Sequence, residues 1–340
     1  MNPIETVVAK GFVPIVNHNN DIYGVVESVV SSSGRDLLDG PTFGFIVSSQ
    51  RANAYSVRTD HLNAVLVSDS LIQLCANHAV NLINAAPIRK IFSLRGDISY
   101  VPESVEAPVV IGDEPDKTWT KSVGKKTWYS LFYDVLCAAV RFVALHEIGH
   151  MHLGHIGEPW SKRPTVPDDT YEHITAALTL ETYGGEGKNR FRRIDELAAD
   201  RAAAFWHAQL FVGKFEQMLH PPDKMQDMLL LNAKYMAAFL GVLVAILSRS
   251  CLTSDAETSD YRSDHPSFDS RLEWVHEGVE MAFEQLLDRA AGGEVLHSIT
   301  ILRGGVEQVV QGKISDFVVD FQNTLEKLRD EFMGQERVSW

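Results

Sequence analysis

A chain of 340 residues with 45% hydrophobic and 22% charged positions can close a full core, which excludes disordered, collagen-like and low-complexity classes. The 45 Asp and Glu outnumber the 31 Lys and Arg, and the resulting net charge of -14 argues against a phosphate backbone as the main partner. Cys75, Cys137 and Cys251 form no C-x-x-C pair, which excludes a disulfide scaffold and fits a reducing compartment.

No secretory pattern is visible over Met1 to Phe12, so the expected address is the cytoplasm. The runs Gly24–Val30, Pro41–Val47, Ala54–Val57 and Ala64–Val67 are β-branched or aromatic and bounded by turn residues, which predicts a small N-terminal sheet. Ser70 with Gln73 forms a capping box that opens an apolar-periodic helix through Leu71, Leu74, Cys75, Leu82 and Ile83, ended by Pro87. Residues 88–127 carry Pro102, Pro108 and Pro115 with little periodicity and read as an irregular insertion. From Trp128 the stripe Leu131, Phe132, Val135, Leu136, Ala139, Phe142 and Val143 predicts a helix.

Beyond it, residues 157–193 are rich in Pro and Gly and read as a flap. Helices are expected over Ile194–Phe211, Lys224–Ser248, Phe268–Leu287 and Ile314–Phe332. The clusters Lys121/Lys125/Lys126 and Lys188/Arg190/Arg192/Arg193 read as solvated loops rather than a binding groove. Residues 228–247 approach the length of a bilayer span. Asn232 and Lys234 interrupt them, however, and the uninterrupted apolar run Met236–Leu247 reads as a buried core helix, which argues against membrane association. The whole reads as a mainly helical α+β chain, with residues 1–275 as one domain and 276–340 as a helical extension packed on it.

The chemistry concentrates in His146-Glu147-Ile148-Gly149-His150, an H-E-x-x-H motif near the end of the predicted helix. Residues four apart share a helix face, so both imidazoles can turn one nitrogen toward a single metal ion, with Glu147 beside it. A catalytic zinc held by two His needs a third protein ligand. Glu196, opening Glu196-Leu197-Ala198-Ala199-Asp200, is the candidate, and the alanines would let its helix approach the metal helix closely. Asp200, one turn on, can orient a ligand imidazole. A structural zinc would want four protein ligands, and no cysteine lies near either motif. The same donor set also suits iron. His152 and His155 lie about 200° and 140° around the helix from His150 and read as structural or solvated. His207 is about 16 Å along its helix from Glu196, too far to share an ion.

The run Val140–His155 followed by Glu-Leu-Ala-Ala-Asp resembles the gluzincin metallopeptidases, most of all the family that includes HtpX and the CAAX prenyl protease. Asn53-Ala54-Tyr55, the strand and helix over Val65–Ile72, and His265-Pro266 followed by Arg271 extend the resemblance in the same order. Lit-type and ImmA/IrrE-type peptidases share the ligand logic. The resemblance implies a zincin-like fold, one zinc ion on His146, His150 and Glu196, and Glu147 as general base for hydrolysing peptide bonds. It further implies Asp200 behind the ligands, His265 and Arg271 near the cleft, and substrate backbone added along Asn53, Ala54 and Tyr55. His265, Tyr171 and Tyr183 are candidates for the oxyanion donor. For Arg271, a helix-face ion pair and an anchor for Asp200 stand equal. The expected partner is a protein or peptide. The alternative function is a regulatory protein-binding module whose zinc site is inactive or blocked by its own flap.

Overall fold

The computed structural model describes residues 2–15, 21–84, 123–156, 188–218, 237–249, 266 and 268–289. In chain order the elements are α1 (Pro3–Ala9), β1 (Val13–Ile15), α2 (Asp21–Leu37), β2 (Thr42–Ser48), β3 (Ala54–Arg58), β4 (Asn63–Ser68) and α3 (Asp69–Asn84). They continue with α4 (Val123–His152), α5 (Lys188–Met218), α6 (237–249) and α7 (Phe268–Arg289). The architecture is mainly helical with one small N-terminal sheet, an α+β arrangement.

The sheet has the order β1-β2-β4-β3, with β2 and β4 parallel and the outer pairs antiparallel. Every residue of β4 is buried, as expected of a central strand covered on both faces. Its alternation sorts the two faces. Val65 and Val67 join the main core with α2, α3 and α4, whereas Ala64 and Leu66 pack with Val7, Phe45 and Val47 beneath α1. On β3 the same period sends Tyr55 and Val57 to the α1 side and Ala54 to the main core.

Gly24–Val30, expected as a strand, lies inside α2. Ile22, Val26, Val29 and Val30 are buried at helical spacing, so packing outweighs their β propensity. Gly34 of α2 and Gly44 of β2 permit that packing: a Cβ on Gly44 would stand 2.7 Å from the Val26 carbonyl oxygen. Strand β1 was not anticipated. The cap of α3 sits two residues earlier than expected, because Ser68 Oγ accepts from Leu71 N at 3.1 Å. Gln73 instead donates to Asn77.

Helix α4 starts at Val123, inside the expected irregular insertion, and α5 at Lys188, inside the expected flap. Lys125, Lys126 and the basic run 188–193 are therefore helical rather than loop residues. From Leu131 onward α4 is apolar on nearly all sides and runs through the core beside α2, α3, α5 and the sheet. Helix α6 lies so close to it that a Cβ on Gly241 would meet Ala138 Cβ at 2.4 Å. Ala237–Ile246 of α6 are buried, and no helix among the described residues is long and apolar enough to cross a membrane. The remainder of 228–247, the rest of the insertion and flap, and the expected helix Ile314–Phe332 lie outside the described residues.

Candidate metal centre

The last turns of α4 carry His146, Glu147 and His150 at the junction with α5 and β3. Two small residues make that junction close: a Cβ on Gly149 would lie 3.2 Å from Ala199 Cα. The approach puts Glu196 of α5 beside both imidazoles. His146 Nε2 and His150 Nε2 are 3.0 Å apart, with Glu196 Oε2 3.4 Å from the first and Glu196 Oε1 3.3 Å from the second. His146, His150 and Glu196 thus form a group that could hold a metal ion.

Asp200, one turn beyond Glu196, is fully buried and its Oδ1 sits 2.8 Å from His146 Nδ1. A carboxylate accepts, so the His146 hydrogen belongs on Nδ1 and the Nε2 lone pair faces the centre. Arg271 of α7 is 1% exposed; its Nη2 donates to Glu196 Oε2 at 2.7 Å and its Nε lies 3.4 Å from Asp200 Oδ2. It is buried within ion-pair distance of both carboxylates.

Two polar groups at the centre escaped the sequence reading. Arg249, the last residue of α6, donates from Nη1 to Glu147 Oε1 at 3.0 Å and from Nη2 to Glu196 Oε2 at 3.2 Å. Its only sequence signal was a lone charge one position past the expected core helix. Ser56 of β3 stands 2.6 Å from Glu147 Oε2 and 3.0 Å from the Glu147 carbonyl oxygen. It adjoins the Asn53-Ala54-Tyr55 run, and strand alternation was the signal that Ser56, not Tyr55, turns toward α4. Tyr55 packs on Phe12, ring centroids 5.1 Å apart. Asn53 N is held by Ser68 Oγ at 2.9 Å, and Ala54 is buried in the main core.

His155 departs from the expected reading because α4 does not continue past His152. Gly154 takes φ 70, Gly154 N donates to Met151 O at 3.2 Å and His155 N to His150 O at 2.8 Å, the paired closure of a Schellman cap. The reversed chain lays His155 over His150, their Nδ1 atoms 3.0 Å apart. His152 points elsewhere, its Nδ1 2.8 Å from the Leu37 carbonyl oxygen. His207 is buried against Phe142, the two rings edge to face with centroids 6.4 Å apart. His265, Tyr171 and Tyr183 lie outside the described residues.

The electrostatics follow from five charged side chains in little water. Burial pushes the Glu147 carboxyl up, yet Arg249, then His146 and His150, and the Ser56 hydrogen bond hold it below the usual range. Burial and Arg249 oppose protonation of His146, but Asp200 and Glu196 raise its affinity for a proton overall. Burial likewise opposes the Arg249 charge, and Glu196, Glu147 and Asp200 outweigh it. The two imidazoles and Glu196 form a group that could hold a metal ion, with Glu147 kept as a carboxylate alongside.

Compared with known protein families, residues 73–291 match the family described as Peptidase U49, a span that takes in α4, Glu196, Asp200, Arg249 and Arg271. The match supports peptidase activity and falls on the Lit-type branch of the expected relatives, while the HtpX resemblance finds no support. No curated protein and no solved structure matches the chain. With the match covering well over half of its length, the chain belongs to the Peptidase U49 family.

Proposed function

We propose that the chain is a zinc-dependent endopeptidase of zincin-like fold that hydrolyses peptide bonds with Glu147 as general base. The observation that carries this reading is the donor geometry. Two imidazole nitrogens 3.0 Å apart, with one Glu196 oxygen 3.4 Å from the first and the other 3.3 Å from the second, bring the two histidines and the carboxylate to the spacing of neighbouring zinc ligands, roughly 3.3 Å for bonds of about 2.0 to 2.1 Å to nitrogen. With the His146 hydrogen engaged by Asp200, the chain offers lone pairs and a carboxylate inward, which is the chemistry a zinc ion needs.

When bound, zinc would supply Lewis acidity, polarising a carbonyl and acidifying water. The chain does the rest. Glu147, ionised beside Arg249, accepts a proton on the side chain that Ser56 and Arg249 hold in place. Asp200 and Arg271 keep His146 and Glu196 from turning away. Strand β3 is an outer strand of the described sheet and adjoins Glu147, which supports a substrate backbone adding alongside Asn53, Ala54 and Tyr55. The net acidity and the scattered cysteines support a cytoplasmic protein or peptide substrate over nucleic acid.

A peptide library incubated with zinc-loaded protein and read by mass spectrometry tests the proposal. Parent protein should cleave, and Glu147→Gln should retain zinc while cleaving nothing; a Glu147→Gln protein as fast as the parent removes Glu147 from the mechanism.

A further inference from the structure

The geometry points to His155 as a positioning residue of the metal centre, one that accepts the Nδ1 hydrogen of His150 and so fixes that imidazole with Nε2 bare toward the ion. This inference rests on the metal-site reading above. It starts from the chain reversal at Gly154, which turns a side chain that a continuing helix would send about 140° away back onto His150. The two rings meet at 65°, with Nδ1 to Nδ1 at 3.0 Å.

Two imidazole nitrogens at that distance need one donor and one acceptor. Among the described residues, His150 Nε2 faces two acceptors, His146 Nε2 at 3.0 Å and Glu196 Oε1 at 3.3 Å. A cation among them takes the Nε2 lone pair, so the single hydrogen of neutral His150 must sit on Nδ1. Its acceptor is then the bare Nδ1 of His155. That choice leaves the His155 hydrogen on Nε2, which faces Asp195 Oδ1 at 3.5 Å.

The two ligand imidazoles are therefore backed in different ways. His146 meets a carboxylate directly through Asp200, whereas His150 reaches one through an intervening imidazole. Asp195 precedes Glu196 in α5, so the relay ties the end of α4 to the turn that supplies the third donor. The side chains of His155 and Asp195 are only 8% and 12% exposed, which leaves little water to replace either as a partner. Partners behind metal-bound histidines commonly contribute 10- to 100-fold in metal affinity.

The test is the zinc affinity of the full chain, measured by competition with a chromophoric chelator, alongside thermal unfolding of each metal-free protein. His155→Ala should weaken zinc binding roughly 10- to 100-fold, and Asp195→Asn by less. His155→Asn, whose Oδ1 can stand where the accepting Nδ1 stood, should recover most of the loss. A His155→Ala protein that binds within about twofold of the parent overturns the inference, as does His155→Asn binding no better than His155→Ala. If His155→Ala does not fold, His155→Asn and Asp195→Asn decide: parent-like affinity in Asp195→Asn together with a weak His155→Asn overturns the relay. A folded parent that takes up no zinc overturns the metal-site reading itself, and a zinc-binding parent with unaffected variants overturns this inference alone.

Discussion

Replacing Arg271 with Leu keeps the apolar stem of the side chain and deletes one buried positive charge. In the folded protein that guanidinium is 1% exposed, 2.7 Å from Glu196 Oε2 and 3.4 Å from Asp200 Oδ2. Breaking a buried ion pair by removing one partner commonly costs about 3 to 5 kcal/mol, because the remaining charge stays desolvated. Here both carboxylates keep a second partner, Glu196 through Arg249 at 3.2 Å and Asp200 through His146 at 2.8 Å. The lower end, about 3 kcal/mol, is therefore expected. Against a total stability of about 5 to 15 kcal/mol this is readily measured as a lower urea midpoint at unchanged slope in the metal-free protein. Arg271→Lys, which restores the charge without the two-nitrogen fork, should fall between parent and Arg271→Leu. A loss below about 0.5 kcal/mol for Arg271→Leu would refute the claim that α7 neutralises the two carboxylates.

Other consequences are open to test. A Cβ on Gly278 of α7 would meet the Arg201 carbonyl oxygen at 2.3 Å, so Gly278→Ala should destabilise by about 1 to 2 kcal/mol despite the better helix propensity of Ala. Unchanged stability in urea would contradict the close α5–α7 contact. Burial lowers the His207 pKa to about 3, so between about pH 6.5 and 3 the unfolded chain carries a proton that the folded one refuses. Stability is therefore lost as pH falls through that window, by up to about 1.4 kcal/mol per pH unit. His207→Leu should flatten the dependence between pH 6.5 and 5, and urea midpoints with the parent's slope would contradict the assignment. Ser56→Ala deletes the 2.6 Å contact to Glu147 Oε2 and should slow peptide cleavage roughly tenfold while leaving zinc affinity unchanged. A fall in zinc affinity instead would place Ser56 among the residues that shape the ligands.

What was legible in the sequence was whatever a short-range period could encode. The spacing of His146, Glu147 and His150, the turn separating Glu196 from Asp200, and the apolar runs of β2, β3 and β4 all express a single element's geometry. Where an outcome depended on a second element, the reading failed. Val25, Val26, Val29 and Val30 suit a strand by propensity, and only the covering sheet and α4 make them helical. Arg249 is distant in sequence from Glu147 and meets it because the small contact at Gly241 seats α6 against α4. His155 departs from its expected direction for a local reason: the positive φ of Gly154 ends the helix before it. Gly after a helical run followed by a polar residue is the signal that would have exposed it.

The organisation that emerges is a core helix whose last turns carry the chemistry and whose flanking elements each contribute one support. Strand β3 brings Ser56, α5 brings Glu196 and Asp200, α6 brings Arg249, and α7 brings Arg271. Three carboxylates and two guanidinium groups leave one negative charge in excess when the histidines are neutral, a balance compatible with a cation at the centre.

The central claim is that His146, His150 and Glu196 hold one zinc ion per chain. Elemental analysis of the purified parent beside Glu196→Ala, with circular dichroism to show that both are folded, tests it most directly. About one zinc per chain in the parent and a small fraction of that in the variant is the expected result. A folded parent without zinc, or a Glu196→Ala protein holding as much as the parent, would contradict it.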